Sequence, residues 1–363
     1  MHMTITRGAL AAAVKSIAGA VPRDNLSPWR FVRIDAADGH VTLTACDGDI
    51  QIERRAAANV EEPGVVLVPG RQFVAFANAL PEGLCKICTP GTGKVKIMAG
   101  AAQFGMVATG VEDWPVFKGP SEDEVSVFLP SVTLREMLRK TAWAASRDAT
   151  RKTLRCVHAE LAGSKLTLVA CDGKRLGLCE YELDADAKAE VSFPEKLAGV
   201  LQSILGPDGD ARLAFDRRAI RVTGEDWSVT SRSIDDAYPL WRRVVPGEQP
   251  CSVSVNRPAF LEEVTRAALC APDTGAVKVA FKGNTIDFSA VNDTVRYSSS
   301  IAAKTANGDA GEFSFDYKLL EDALGCLDDD DVTFCYSPGG KPTPLVVKSA
   351  IPWLAVVMPM RKE

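Results

Sequence analysis

The feature that most constrains the fold of this chain is a repeat of about 125 residues. The tetrapeptide Ala-Cys-Asp-Gly occurs in "TACDGD" at 44–49 and again in "VACDGK" at 169–174, which is 125 positions later. Three segments with a helical apolar pattern end in register at Leu80, Leu205 and Leu327, at offsets of 125 and 122. A chain that resembles itself at a fixed period is built from repeated structural units.

A second helix repeats at the same period. Leu10, Val14, Ile17 and Val21 follow the spacing i, i+4, i+7, i+11 of one helix face. The matching positions in the later units are Leu134, Leu138, Thr141 and Ala145, and then Phe260, Val264, Ala267 and Ala271. Thr133 and Glu136 have capping-box spacing, which predicts that the second copy of this helix begins there.

Strand patterns repeat as well. "VTLTACD", "LTLVACD" and "IDFSAVN" are short β-forming stretches, and "KVKI" at 94, "AIRV" at 219 and "PLVV" at 344 fall 125 residues apart. The order helix, strands, helix, strands predicts an α+β chain of three tandem homologous domains, each with two helices packed on antiparallel sheets. Pro- and acid-containing linkers place the domains at 1–125, 126–249 and 250–363.

Composition restricts the function classes. The chain has 363 residues, 46% hydrophobic and 25% charged, with a formal net charge of −5, which is typical of a soluble globular protein. An acidic balance argues against a simple basic nucleic-acid binder. No apolar run is long enough to span a membrane, and the N-terminus lacks a signal-peptide pattern, so we expect a cytoplasmic protein with reduced cysteines.

The charge is unevenly distributed. Residues 129–155 contain seven basic side chains and only two acidic ones, whereas acids cluster in "SEDE" (121–124), "DADAKAE" (184–190) and "DDDD" (328–331). A charge run is usually just a solvated face. Three equivalent helices on one surface would instead create a basic face that holds DNA phosphates without reading sequence. The predicted DNA contacts in this region are Arg135, Arg139, Lys140, Arg147 and Lys152.

Three motifs resemble one known family. "VACDGKRLGL" (169–178), "YPLWRRVVP" (238–246) and the C-terminal "WLAVVMPMRKE" are together similar to the bacterial DNA polymerase III sliding clamp, the β subunit, and the resemblance covers essentially the whole chain. It implies a head-to-tail homodimer that forms a six-domain ring around double-stranded DNA, independent of sequence. It also implies a non-catalytic protein without cofactor, opened by a clamp loader.

The resemblance further implies partners that dock short linear peptides: the DNA polymerase III catalytic subunit, other polymerases and repair proteins. The implied peptide-binding pocket comprises Leu154, Cys171, Gly173, Lys174, Arg175, Leu176, Pro239, Arg243, Val244, Val356, Met358, Pro359, Met360 and Arg361. Adaptable Met side chains and Pro-flanked apolar walls with arginines at the rim suit such a groove. A secondary pocket would involve Arg151, Asp316, Leu319 and Pro344.

Two further assignments follow from the resemblance. Arg23 matches a family arginine that contacts DNA from the loop after the first helix, and Lys152 matches another position near DNA or peptide. Ring closure would bring Phe104 and Met106 of the first domain against Leu269 and Cys270 of the third.

Two alternatives stay open. Lys174 stands where the family usually has His, Cys171 where Thr is common, and Leu319 where an aromatic is usual, which fits a divergent clamp paralogue dedicated to repair or translesion synthesis. A metal-dependent nucleic-acid enzyme would need convergent ligands. "CKIC" (85–88) looks like a strand without a second CxxC, and "DDDD" is more typical of a solvated turn, so we expect no metal.

Overall fold

A computed structural model of the chain describes residues 1–24, 26–91, 93–121, 123–272, 274–338 and 343–360. These residues form six α-helices, two for each repeat: α1 Arg7–Ile17, α2 Gly70–Ala79, α3 Ser131–Ala142, α4 Glu195–Ile204, α5 Arg257–Ala268 and α6 Tyr317–Gly325. Leu80, Leu205 and Leu327 each follow the second helix of a pair and are buried, which confirms the repeat that the sequence predicted.

The strands, in chain order, are β1 His2–Thr6, β2 Phe31–Ala37, β3 His40–Cys46, β4 Ile50–Ala57, β5 Asn59–Glu62, β6 Gly64–Pro69, β7 Leu84–Gly91, β8 Lys94–Ala99, β9 Ala102–Val107, β10 Val125–Pro130, β11 Cys156–Cys171, β12 Arg175–Pro194, β13 Asp210–Phe215, β14 Ala219–Thr223, β15 Trp227–Arg232, β16 Cys251–Asn256, β17 Ala276–Lys282, β18 Thr285–Val291, β19 Arg296–Ala302, β20 Thr305–Asn307, β21 Gly311–Asp316, β22 Asp331–Tyr336, β23 Leu345–Lys348 and β24 Trp353–Val357. All pairings between these strands are antiparallel, as predicted.

The chain divides into two compact units. The first comprises residues 1–134 and 199–233 and contains a five-stranded sheet, β5-β1-β7-β8-β9, and an eight-stranded sheet, β10-β13-β14-β15-β4-β3-β2-β6. The second comprises residues 135–198 and 234–363 and contains a seven-stranded sheet, β11-β12-β24-β23-β22-β16-β20, and a four-stranded sheet, β19-β18-β17-β21. In each unit, therefore, the larger sheet combines strands that are distant in sequence.

Burial explains the apolar spacing of the first helices. Leu10, Val14 and Ile17 are fully buried along α1, and Phe260, Val264 and Ala267 are fully buried along α5. Side chains at i, i+3/i+4 and i+7 share one helix face, so burying that face against a sheet stabilises the helix. In the second unit, Phe260 packs against the rings of Phe288 and Phe334, at centroid distances of 5.0 and 4.5 Å.

The predicted start of α3 was wrong. The helix begins at Ser131, directly after β10 ends at Pro130, so Thr133 lies inside the first turn and is not the cap. Glu136 accepts hydrogen bonds from the Arg139 guanidinium instead. Helix caps of the expected chemistry occur elsewhere: Asn256 accepts from the Ala259 amide at 3.0 Å and Asp316 from the Lys318 amide at 3.1 Å.

The two segments considered as metal sites have local roles. "CKIC" lies in β7, with Cys85 buried and Cys88 half-buried. Of the "DDDD" run, Asp331 begins β22, and the carbonyl of Asp329 accepts from Arg257 at 2.6 Å. Among the described residues, no three His, Cys, Asp or Glu side chains are grouped to hold a metal ion. No helix in the same part of the chain is both long and apolar enough to cross a membrane.

Candidate peptide-binding site and basic surface

The turn at 172–174 has counterparts in the other two repeats. Asp172 Oδ1 accepts hydrogen bonds from the amides of Lys174 (2.8 Å) and Arg175 (3.0 Å), and Gly173 adopts a φ of 91°. An Asp followed by a Gly suits such a turn, because the side chain satisfies backbone donors and Gly tolerates positive φ. This turn places the start of β12 immediately after the end of β11.

The other two repeats keep the turn. Asp47 accepts from the amides of Asp49 (2.9 Å) and Ile50 (2.8 Å), and Gly48 has a φ of 99°. In the third repeat, the Asn292 side chain accepts from Thr294 and Val295 in the same way, without a following Gly. The repeated tetrapeptide is therefore a structural turn, and only its second copy leads into "KRLGL".

Strand β24 lies beside this turn. Leu176 of β12 pairs with Val356 and Arg175 pairs with Val357, in antiparallel register. The Met358 amide donates to the Lys174 carbonyl at 2.8 Å, and the Met360 amide donates to the Ser314 carbonyl at 2.7 Å. The structure thus brings the "DGKRL" and "VVMPM" motifs, which are about 180 residues apart in sequence, into contact.

A buried apolar cluster supports the two motifs. Its members are Val169, Cys171, Leu176, Trp241 and Val356, with Leu154, Leu178, Tyr238, Val245 and Leu354 packed against it. Four of the predicted pocket residues therefore meet in one cluster: Leu154, Cys171, Leu176 and Val356. The sequence interpretation missed Tyr238 and Trp241, although both lie inside the "YPLWRRVVP" motif on which it relied.

The predicted pocket residues divide by solvent exposure into a buried floor and an exposed rim. Leu176 and Val356 are 0% and 1% exposed, so they form the floor and not the accessible surface. Among the predicted pocket residues, the accessible large apolar side chains are Met360 and Val244, at 36% and 45%. Lys174, Gly173 and Arg243 are exposed, whereas Pro239, Met358 and Pro359 are half-buried. Arg361 lies outside the described residues.

Arg175, one of the predicted pocket residues, is buried beneath the site and does not lie at its rim. It is 7% exposed, and its guanidinium contacts the carboxylates of Asp172 (Nε to Oδ2, 3.1 Å) and Asp322. Burial of an unpaired cation is costly. The second carboxylate could not be predicted from the pocket motifs, because Asp322 is 147 residues further along the chain.

The predicted secondary-pocket residues have one hydrogen bond to the main site, made by Arg151. Arg151 Nη1 donates to the Asp172 carbonyl at 3.2 Å, which places this side chain against the 172–174 turn. Asp316 caps α6, and Leu319 is buried on that helix. Pro344 is half-buried just before β23. Arg151 is thus linked directly to the main site, whereas Asp316 and Leu319 stabilise α6.

The predicted DNA contacts fall into two groups. Arg23, Arg135, Arg147 and Lys152 are exposed, and Arg147 Nη2 lies 3.7 Å from Asp322. Arg139 instead contacts both Glu136 and Asp328, and Lys140 Nζ lies 3.5 Å from Glu136. The carboxylates already neutralise the second group, which makes Arg139 and Lys140 weaker candidates for phosphate contact.

The predicted dimer residues are also divided by burial. Met106 and Cys270 are 7% and 4% exposed within the single chain, so they present little surface to a partner. Phe104 is half-buried and stacks on Phe76, with ring centroids 4.5 Å apart. Leu269 is 78% exposed, as an interface residue of a monomer should be. On β9, the exposed apolar neighbour of Met106 is Val107, at 72%.

A cleft of about 440 Å³ adjoins the same "YPLWRR" segment. His158, Glu160 and Glu190 line it, together with Tyr238 and Trp241, which also belong to the apolar cluster. The His158 ring stacks on Tyr238 at 4.7 Å, and burial lowers the pKa of this histidine. Tyr238 and Trp241 therefore separate the candidate site from a second concavity.

Family comparisons identify the class of protein to which the chain belongs. Three family models match consecutive parts of the chain: the N-terminal domain of the DNA polymerase III beta subunit over residues 1–118, its central domain over 128–240 and its C-terminal domain over 242–361. The chain therefore belongs to the family of DNA polymerase III beta subunits, the bacterial sliding clamps. Its three clamp domains, of mixed helix and antiparallel sheet, are those of this family.

Relatives of known name support the assignment along the full length. A beta sliding clamp of Pseudomonas aeruginosa is 25% identical over 99% of this chain and 100% of its own, and one of Staphylococcus aureus is 24% identical over 99% of both. The crystal structure of the Pseudomonas aeruginosa clamp bound to griselimycin superimposes with a TM-score of 0.93 at 25% identity, covering 100% of both chains. The clamp of Bacillus subtilis has the same TM-score at 23% identity.

The functional class follows from the family. Sliding clamps are non-catalytic processivity factors of DNA polymerase III; members bind DNA, form dimers and bind the polymerase and other partners. The chain is accordingly a processivity factor and not an enzyme, which confirms the prediction from its motifs. Nothing in these comparisons favours the alternative of a paralogue dedicated to repair.

Proposed function

We propose that this clamp acts in the cytoplasm as a head-to-tail homodimer, a six-domain ring closed around duplex DNA. Its domains span 1–125, 126–249 and 250–363, and a clamp loader opens it. The polymerase III catalytic subunit, other polymerases and repair proteins dock short peptides at the site between "DGKRL" and "VVMPM". The observation that carries the docking proposal is the pairing of β12 with β24 over a buried apolar floor, with Met360 and Val244 exposed beside it.

The chemistry of this site suits an apolar peptide. Met side chains are flexible and polarizable, so they adapt to several apolar ligands. Basic groups at Lys174 and Arg243 add a charged rim that favours acidic or polar flanking residues. A peptide of this kind would bury its apolar side chains over Leu176 and Val356 while its ends stay in solvent.

The docking proposal is tested by fluorescence anisotropy with a labelled peptide from the clamp-binding segment of a polymerase III catalytic subunit. Met360→Ala and deletion of 358–363 should each weaken binding, because both remove the accessible Met360 side chain and the deletion also removes the Met358 amide that binds the Lys174 carbonyl. Val291→Ala is the matched control, since Val291 is a similarly exposed apolar residue at the end of β18. Unchanged affinity in both test variants would argue against the site.

The ring proposal rests on family membership and on sheet edges. β9 and β19 each lie at the edge of their sheet, and an edge strand can pair with a second chain. We propose that exposed Val107 and Leu269, rather than Met106 and Cys270, provide the apolar contacts. Retention on nicked circular DNA, with loss from the same DNA after linearisation, would support encirclement; equal retention on both would contradict it.

A further inference from the structure

Arg175 is a buried cation directly beneath the candidate site. Its Nε lies 3.1 Å from Asp172 Oδ2, its Nη1 contacts Asp322 Oδ2, and its guanidinium carbon lies 5.5 Å from the centroid of the Trp143 ring. With the side chain 6% exposed, water contributes little to its solvation. The two carboxylates and the ring therefore replace the hydration that the guanidinium loses on folding.

Asp322 reaches this cation from a different repeat. It lies on α6, in the third clamp domain, whereas Arg175 begins β12 in the second. The side chain of the preceding residue, Glu321, instead accepts a hydrogen bond from Thr265 of α5 at 3.1 Å. Among the described residues, Asp322 is thus the α6 carboxylate that holds the Arg175 guanidinium.

Asp172 and Asp322 hold Arg175 in different ways. Asp172 uses Oδ1 to accept the amides of Lys174 and Arg175, and Oδ2 to accept the Arg175 Nε. Asp172 cannot follow Arg175 to a new position without breaking the turn that it forms. Asp322 therefore fixes the Nη1 end of the guanidinium. Because Asp172 binds both Arg175 and the turn amides, the position of Arg175 also sets the position of the 172–174 turn.

The 172–174 turn also positions the C-terminal end of β24. The Lys174 carbonyl, between the two amides that Asp172 binds, accepts the Met358 amide at 2.8 Å. A continuous path of hydrogen bonds and ion pairs thus runs from Asp322 through Arg175, Asp172 and Lys174 to Met358. Both motifs of the candidate site depend on this path, although Asp322 is in neither of them.

We infer that Asp322 is a positioning residue for peptide docking: its carboxylate holds Arg175 so that the 172–174 turn and Met358 keep the geometry that binds the peptide. This inference rests on the proposed docking site. Asp322 is 32% exposed and need not contact the peptide itself. The sequence motifs of the site give no indication of it.

The test compares Asp322→Asn with Glu321→Gln, a carboxylate-to-amide change one residue earlier on the same helix. Peptide anisotropy should show about tenfold weaker binding for Asp322→Asn, equivalent to about 1.4 kcal/mol, and less than a twofold change for Glu321→Gln. Asp322→Glu, which retains the charge, should recover part of the loss. Thermal unfolding of each variant shows whether the fold is intact.

Hydrogen exchange without peptide gives an independent measurement. Backbone amides of 172–178 and 356–360 should exchange faster in Asp322→Asn, whereas amides of α5 should not change. Wild-type protein that binds no peptide would overturn the docking site, yet the exchange comparison would still test the role of Asp322. Wild-type affinity together with unaltered exchange in Asp322→Asn would overturn the inference. If that variant unfolds, the same two measurements are made on Asp322→Ser, which also removes the carboxylate. Wild-type affinity and wild-type exchange in folded Asp322→Ser would then overturn the inference.

Discussion

The phenolic hydroxyl of Tyr238 donates a hydrogen bond to the Cys171 sulfur, 3.4 Å away, and thereby ties the "YPLWRR" segment to the end of β11. The Tyr238 ring also contacts the His158 imidazole, which stacks on it in a nearly parallel arrangement. Tyr238 is therefore held from two sides, by the apolar cluster and by the cleft. Neither contact involves a residue adjacent to it in sequence.

We expect Tyr238→Phe to lower the free energy of unfolding by about 1 kcal/mol, because it removes one partly buried hydrogen bond and leaves the ring in place. Tyr238→Ala should cost about 3–5 kcal/mol, since it also leaves a cavity between the cluster and His158. Urea unfolding at neutral pH measures both. Tyr181→Phe is the control: among the described residues its hydroxyl has no hydrogen-bond partner, so the change should have little effect. Equal costs for Tyr238→Phe and Tyr181→Phe would contradict the role of the Cys171 contact.

The cysteines should react with thiol reagents in two groups. Eight of the ten are buried, and burial raises the pKa of Cys46, Cys156 and Cys326 to about 12. The thiolate is the reactive form, so these side chains should be inert in the folded protein. Titration with DTNB at pH 7.5 should detect at most two accessible thiols, from half-buried Cys88 and Cys335.

Two variants assign the thiol signal. Cys88→Ser should remove one of the accessible groups, whereas Cys46→Ser should leave the native signal unchanged and lower the total by one after denaturation. More than two reactive thiols without denaturant would show that the β-sheets open more readily than their burial indicates.

Arg135 and Arg139 lie on the same helix four residues apart and should differ in their effect on DNA binding. Arg135 is exposed and has no ion-pair partner among the described residues, whereas Arg139 contacts Glu136 and Asp328. Each phosphate contact contributes about 1 to the slope of log affinity against log salt concentration. Arg135→Ala should reduce this slope by about 1, and Arg139→Ala should change it less. The reverse order would show that Arg139 leaves its carboxylates when DNA binds.

The repeat made much of the fold predictable, because each helix and strand pattern was seen three times. The start of α3 was missed since β10 continues to Pro130 and the helix follows without a linker, so a capping motif inside the helix was read as its beginning. Short-range patterns cannot distinguish the two cases. The local turn at Asp172, by contrast, follows directly from its Asp-Gly sequence.

The site was predictable where its residues carry motifs and not where distant partners decide. Arg175 was predicted as a pocket residue, and its ion pair with Asp322 could not be foreseen from the motifs; the same holds for the ion pair of Arg139, a predicted DNA contact, with Asp328. On β9, alternate residues point to opposite faces of the sheet. The sequence "FGMV" does not reveal which face is covered, and the buried side chain is Met106 and the exposed one Val107.

Leu269→Asp should weaken the dimer. An apolar side chain that is 78% exposed in the single chain gains from burial against a partner, and a carboxylate there would lose its hydration without a counter-ion. Sedimentation velocity over a concentration series should show a larger monomer fraction for Leu269→Asp than for wild type. Val132→Asp is the control, an exposed apolar-to-acid change on α3 of the second repeat, outside the predicted interface of the first and third repeats. Equal dimer fractions in all three proteins would exclude Leu269 from the interface.

His158 should make stability depend on pH below about 6.5. Burial lowers the pKa of its imidazole, and although Glu190 and Glu160 oppose this shift, the net direction is downward. An unfolded histidine titrates near 6.5. Above that pH the side chain is neutral in both states, and its contribution is fully present. As the pH falls below about 6.5, the unfolded chain takes up a proton that the folded protein resists, so the free energy of unfolding decreases until the pH reaches the lowered folded pKa.

His158→Gln cannot take up this proton, so its unfolding free energy relative to wild type should rise as the pH is lowered from 8 to 5, while the difference at pH 7.5–8 stays constant. Urea unfolding curves at four or five pH values measure this, and a difference independent of pH across the whole range would show that His158 is protonated as readily in the fold as in the unfolded chain.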